Sequence, residues 1–534
     1  MRQRLDLPEA AALKLRSESR RRPLARPNGR FIRHCGIHRR QFCLGLETRN
    51  MERLPQFNDV AVADRVQAER RRFLASFKDG DVLRVASSHH PSKQPCRFFQ
   101  QAIPGSYNIC YFVEFPATGE RWTVRIPIRP CLAHGGRSKL ASEVTTMKYV
   151  CLTQVELDWK ASNTDSPLSR YLILDYVEGT LLSSVNIQRL DKEKRNQLYE
   201  SLAKVVLQLR RLTFPSFGRL YRAGGNELRV SNDITTQDIN TQELEGLDPR
   251  RIQQECYGER DLLPNASHYT ETLIRTAYNG FFKGADGVDP DMIESSLYHL
   301  DLFRQHAAFW LDPKISPVQF VLSHGDFTPN HILVDESTMA ITAVLDWGWS
   351  RVVPVQYLIP PLWLQHADVP KLAWKHAYDG YVSRELAAFL AVVRAEERRA
   401  YQSSALADQW DRTKHDGGFL IAHALEHRHD MDAVAFRYLN ARYYGGTSDL
   451  DGRMARFLQD DPLRGLVIDM KARQARGGGA AECVRPTQSS SSSIASRLWP
   501  VSSALQGSMM LLSTGVGYGL WRLALASARR PPRI

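Results

Sequence analysis

The stretch SHGDFTPNHILVD, residues 323–335, sets two histidines, two aspartates and an asparagine among apolar neighbours, and ITAVLDWGWS follows with Asp346 twenty residues after Asp326. Phosphoryl transfer uses such a pair. One carboxylate orients the attacking hydroxyl and accepts its proton, while a second, with an amide or similar ligand from the same loop, holds magnesium on the nucleotide phosphates. The metal offsets charge as it develops on the phosphates, an electrostatic contribution that usually dominates. An isolated His-x-Asp is coincidence more often than catalysis, so the reading depends on the elements around it.

Those elements are legible. VQFVL (318–322), HILV (331–334) and AITAVL (340–345) read as short strands, so the polar cluster at 323–330 lies on a loop and 335–339 form a turn. Loops held by rigid strands are where catalytic groups usually sit. Upstream, YNICYFVEF (107–115), RWTVRIPI (121–128) and YLILDYV (171–177) are β-branched and aromatic runs separated by turn residues. After 190 the apolar spacing becomes helical, over 191–212, 290–311, 380–400 and 416–440. The expected fold class is α+β: a small β-rich lobe followed by a larger, mostly helical lobe. No internal repeat is present.

In this order the motifs resemble the aminoglycoside phosphotransferase and choline kinase-like family, which has a bilobal protein-kinase-like fold. SHGDFTPNHILVD and ITAVLDWGWS resemble its catalytic loop and metal-binding strand. IPGSYNICYFVEF resembles the nucleotide-covering hairpin, RWTVRIPI the strand with the phosphate-gripping cation, SEVTTMKYV the helix with its paired glutamate, and YLILDYVEGTLL the hinge. PVQYLIPPLWL downstream is similar to these enzymes too, so the resemblance covers about 95–445. It implies an ATP- and magnesium-dependent phosphotransferase acting on a small-molecule hydroxyl, with Asp326 as base and His324 bracing the loop through hydrogen bonds. By the same resemblance Gly105, Ser106, Arg125, Glu143, Leu174 and Tyr176 contact or support the nucleotide, and Asp346 holds the metal. Two positions depart from the pattern. Arg125 stands where the family has lysine, and a planar fork differs from an ammonium in geometry and reach. His331 stands where the family loop has asparagine, with Asn330 before it, so either Asn330 or His331 completes the metal site; histidine is a softer donor than magnesium prefers.

Those departures motivate a rival reading, a pseudokinase whose nucleotide pocket is a structural switch; the retention of both aspartates opposes it. A third reading comes from HALEH (423–427), the inverted zinc-peptidase signature on helical text, for which no third ligand is identifiable. No activation segment running from DFG to APE follows DWGW, which argues against a protein-kinase activation mechanism.

Charge and composition set the boundaries. The net charge of +13 resides in the ends: +9 in residues 1–50 and +8 in 471–534, leaving the middle near −4. A specific nucleic-acid partner is therefore not expected. The expected organisation is a basic disordered extension (1–60), an N-lobe (61–180), a helical C-lobe with the catalytic loop (181–474) and a low-complexity linker and tail (475–534). Eight cysteines without paired spacing suit a reducing, cytoplasmic setting. The run holding His34, Cys35, His38 and Cys43 lacks the second half of a zinc motif. Asp6, Glu9 and Glu18 favour a disordered extension over a mitochondrial presequence. Residues 498–521 are uncharged and long enough to span a bilayer, yet rich in Ser, Gly and Thr with Pro500 and Gln506 inside. A loose tail is expected there, with membrane contact as the alternative.

Overall fold

The computed structural model describes residues 59–150, 166–224, 227–231, 233–257, 265–284, 290–310, 319–365 and 367–476. The expectations for the basic extension, the His34–Cys43 run, and the linker and tail after 476 lie outside these residues. The chain divides into two compact units after Asp451, and both lobes belong to the first.

Among the described residues two helices precede the first strand: α1 (Val60–Ala75), capped by the Asp59 carboxylate on the Val62 N–H, and α2 (Asp79–His89), with Asp79 and Asp81 in its first turn. The sequence reading includes these residues in the N-lobe without identifying the helices. A four-stranded antiparallel sheet follows in chain order: β1 (Arg97–Pro104), β2 (Asn108–Phe115), β3 (Glu120–Pro127) and β4 (Leu172–Asp175). Alternation along β2 and β3 sorts the sheet into two faces. Ile109, Tyr111, Val113, Phe115, Val124 and Ile126 form one core with Val66 and Phe73 of α1 and Val82 and Ala86 of α2. Asn108, Cys110 and Phe112 therefore share the opposite face with Arg125, which pairs in register with Cys110. Helix α3 (Arg137–Val150) carries Glu143.

The larger lobe is mostly helical and encloses small sheets. β5 (Thr180–Leu181) leads into α4 (Lys192–Arg211), β6 (Thr213–Phe214), and the hairpin of β7 (Leu220–Arg222) and β8 (Leu228–Val230). α5 (Gln237–Leu244), α6 (Pro249–Tyr257), α7 (Ala266–Lys283) and α8 (Ile293–Trp310) complete the insertion. β9 (Phe320–Ser323), β10 (Ile332–Val334), β11 (Ile341–Val344) and β12 (Arg351–Pro354) then frame Asp326 and Asp346, with β12 antiparallel to β9 and β11 antiparallel to β10. This is the expected α+β architecture, a small β-rich lobe followed by a larger, mostly helical one. The helical run expected over 416–440 is interrupted: a helix spans Gly418–Glu426, and His427 at φ −132°, ψ 80° ends it before a short 3-10 turn. Among the described residues no helix is long and apolar enough to cross a membrane.

Candidate active site

The loop from Ser323 to His331 is held by backbone geometry that its residue types dictate. Gly325 adopts φ +79°, and a Cβ there would fall 1.9 Å from the Trp349 carbonyl oxygen, so no other residue fits. His324 is 2 % exposed; its Nε2–H donates to the Leu345 carbonyl at 2.8 Å, and its Nδ1 accepts from the Asp326 N–H at 3.3 Å. The ring thereby ties the loop to the strand end that carries Asp346.

Burial pushes the His324 imidazole down to about 4, assisted by the neighbouring His331. The unfolded chain takes up that proton more readily than the folded one, so the contribution is complete above about pH 6.5 and is lost as pH falls toward 4. A shift from 6.5 to about 4 corresponds to about 3 kcal/mol. Between pH 7 and 4 the wild-type chain is expected to lose that much more unfolding free energy than His324→Gln, measured by denaturant titration at each pH.

Asp326 and Asp346 come together around His331. His331 Nδ1–H donates to the Asp326 carbonyl at 2.9 Å, while Nε2 lies 3.9 Å from Asp346 Oδ2 and Nδ1 3.7 Å from Asp326 Oδ2. With Nδ1 as donor, the lone pair of the neutral ring sits on Nε2 and faces a carboxylate. Asn330 is exposed. Of the two alternatives, it is His331 that faces Asp346. Asp346 itself occupies the left-handed region at φ 57°, ψ 68°, and its side chain accepts from the Gly348 N–H. Such a conformation in a non-glycine residue costs on the order of 1–3 kcal/mol and clusters at functional sites.

Arg125 reaches across the cleft. Its Nη1 binds Glu143 and its Nη2 binds Asp346, and the Asn108 amide, oriented by the network, offers its oxygen to Nη2 at 2.6 Å. The Arg125–Glu143 pairing is as expected; the second carboxylate is not. The planar fork that replaces lysine can engage both acids at once. Burial alone would raise the Asp346 carboxyl, but Arg125, His331 and Lys139 carry it well below the usual carboxylate range. Asp326 moves the other way, up, because burial outweighs the pull of His331.

The remaining expected residues are near the cleft face. Gly105 and Ser106 form the tip between β1 and β2, closed by Gly105 N–H to the Asn108 carbonyl at 2.7 Å and anchored by Arg70 of α1, which donates to the Gly105 carbonyl at 3.0 Å. Leu174 is on β4, opposite Thr123 of β3; Tyr176 follows, its ring 5.0 Å from Phe99 and 5.9 Å from Phe112.

Four contacts escaped the sequence. Gln237, the first residue of α5, donates to Asp326 Oδ2 at 3.1 Å. Asn240, one turn on, binds the Ala133 N–H and the Cys131 carbonyl, tying the insertion to the loop before α3. No local spacing joins residues 237 and 326, so only the fold could show this. Lys139 was detectable: it lies one helical turn before Glu143 and on the same face. The fourth is the buried pair of Arg351 and Glu426, 2.7 Å apart, with the Tyr269 hydroxyl on Glu426 at 2.6 Å.

That last pair corrects the zinc-peptidase reading of HALEH. Glu426 is engaged by Arg351 and Tyr269, His423 by Asp430 at 2.8 Å, and the His427 ring stacks on His423 while its Nδ1–H donates to the His423 carbonyl. Among the described residues no group of three or more His, Cys, Asp or Glu side chains could hold a metal ion. The motif is lobe structure.

Residues 154–357, which include both aspartates, match the model of the phosphotransferase enzyme family, APH. The match agrees with the resemblance read from the sequence over this segment, which is less than half of the chain. Solved structures similar to the chain include an ethanolamine kinase of Plasmodium vivax, 13 % identical, covering 72 % of this chain and 88 % of that one with a TM-score of 0.35. The GDP complex of wild-type aminoglycoside 2'-phosphotransferase-IIIa is 15 % identical, with 65 % and 98 % covered and a TM-score of 0.33. The ADP-bound aminoglycoside phosphotransferase APH(2'')-Ib is 9 % identical, with 73 % and 98 % covered and a TM-score of 0.31. Among curated proteins none matches the chain.

Proposed function

We propose that the chain transfers the γ-phosphate of ATP to a hydroxyl of a small molecule. The observation that supports this best is the meeting of Asp326, His331 and Asp346 in one place, with Arg125 and Glu143 joined to Asp346 across the cleft. Asp326 is the base. Gln237 occupies its Oδ2, so the acceptor hydroxyl goes to the other oxygen, and a carboxyl raised by burial is closer in proton affinity to its task than a free one.

Magnesium suits the carboxylate of Asp346, while the imidazole of His331 is a softer donor than it prefers. It is commonly bound by one or two carboxylates together with substrate phosphates and water, and the lone pair of His331 Nε2 facing Asp346 Oδ2 leaves room for a positive species between them. Asp346 would hold the ion with His331 rather than Asn330. When bound, it would neutralise charge on the phosphates. The tip at Gly105 and Ser106 covers the phosphates, and Leu174 and Tyr176 border the base at the hinge. The acceptor lies against the helical lobe, between the insertion at 217–317 and the helices after 370. Acidic residues in these segments would suit a cationic acceptor such as choline or an aminoglycoside.

Incubation with γ-labelled ATP, magnesium and a panel of choline, ethanolamine and aminoglycosides tests this. Label in an acceptor is the expected result. Nucleotide bound with no acceptor labelled and no ATP hydrolysed would favour the pseudokinase reading.

A further inference from the structure

Lys139 is a buried cation that no step above uses. Its residue is 7 % exposed, and its ammonium sits over the Trp349 ring at 4.4 Å and beside Gly348, where a Cβ would approach it to 2.3 Å. Trp349 and Gly348 belong to the turn that Asp346 caps, so the ammonium lies within the metal-strand corner of the cleft. Among the described residues it forms no hydrogen bond or ion pair with protein, while the three donors of an ammonium need acceptors. A cation in that position is costly unless an anion completes its shell.

Arg125, in the place of the family's phosphate-gripping lysine, cannot easily be that group's replacement. Glu143, Asp346 and the Asn108 amide already take its two terminal nitrogens. The fork works as a clip that closes β3 onto α3 and onto the turn after β11. Lys139, one helical turn before Glu143, offers a flexible point charge on the same side of α3. Burial pulls its amine down to about 8 against the attraction of Asp346.

We infer that Lys139, and not Arg125, is the cation that grips the terminal phosphates of the nucleotide in this chain. The inference rests on the phosphotransferase reading and assigns a ligand contact within it: the phosphate oxygens supply the acceptors that the Lys139 ammonium lacks, and Arg125 keeps the carboxylates in place around them.

The test compares binding of Mg·ATP and of adenosine, which has no phosphate, to the full chain, measured calorimetrically. Lys139→Met is expected to weaken Mg·ATP at least tenfold and leave adenosine unchanged, and Lys139→Arg to recover most of the loss. Equal weakening of both ligands would mark Lys139 as merely structural, and unchanged affinity for both would overturn the assignment while leaving the phosphotransferase reading intact. Failure of the wild-type chain to bind Mg·ATP would overturn both together. Lys139→Gln, closer to lysine in length and polarity, keeps the test open should Lys139→Met fail to fold: it is expected to weaken Mg·ATP at least tenfold and leave adenosine unchanged, and unchanged Mg·ATP affinity would contradict the inference.

Discussion

Asp326→Asn is expected to lower turnover by about 10²–10⁴-fold, the usual contribution of a positioned general base, while leaving nucleotide affinity within a factor of a few. The substitution keeps size and shape, and an amide oxygen can still accept from Gln237 Nε2, so the hydrogen bond that orients the side chain survives. The backbone contacts to His324 and His331 involve the main chain of residue 326 and are untouched. What is lost is the ability to take the acceptor's proton. Initial rates of ATP consumption with a responsive acceptor, or of slow ATP hydrolysis without one, measure the effect. Turnover within twofold of wild type would remove Asp326 from the chemistry.

The largest expected stability effect lies away from the nucleotide cleft. Glu426→Ala leaves the Arg351 guanidinium, itself 2 % exposed, without its carboxylate. Breaking one partner of a buried ion pair typically costs about 3–5 kcal/mol because the remaining charge is left uncompensated. Here the cost should fall toward the upper part, since Tyr269 loses its acceptor as well. The same guanidinium lies where a Cβ on Gly325 would point, at 2.6 Å. Disturbance at Glu426 therefore reaches the loop that carries Gly325 and Asp326. Urea unfolding of the two chains measures the difference; a loss under 1 kcal/mol would mean that the pair is solvated and unimportant.

Much of the fold was readable because period and chemistry agree. The strands at 108–115, 120–127 and 172–175 are β-branched and aromatic, and the helix at 192–211 is regular and capped by Asp191. The helices at 60–75 and 79–89 were not identified, although Asp59 gives the first a cap; their Arg- and Ser-rich text hides a narrow apolar stripe of Val66, Phe73, Val82 and Ala86. The expected run at 416–440 was broken at His427, whose ring stacks on His423 and donates to the His423 carbonyl one turn back.

The site shows the same division. Asp326, His331 and Asp346 lie within one short segment, and hairpin pairing alone brings them close. Glu143 and Arg125 could be paired by resemblance. That Arg125 also binds Asp346 depends on how the lobes close, and that Gln237 holds Asp326 depends on the path of the insertion. Neither has a local signature. HALEH illustrates the reverse: the spacing of a metal motif is present, but Arg351 and Asp430, brought in from β12 and from a following turn, claim its side chains.

Thermal unfolding with and without Mg·ATP, on the wild-type chain and Asp346→Ala, tests the proposed site most directly. A ligand that binds only the folded state stabilises it by about 2.7 kcal/mol at a hundredfold excess over Kd. The site described predicts a magnesium-dependent rise in the wild-type melting temperature that disappears in Asp346→Ala. A cooperative melt that ATP does not move in the wild-type chain, or that moves equally in both chains, would contradict it.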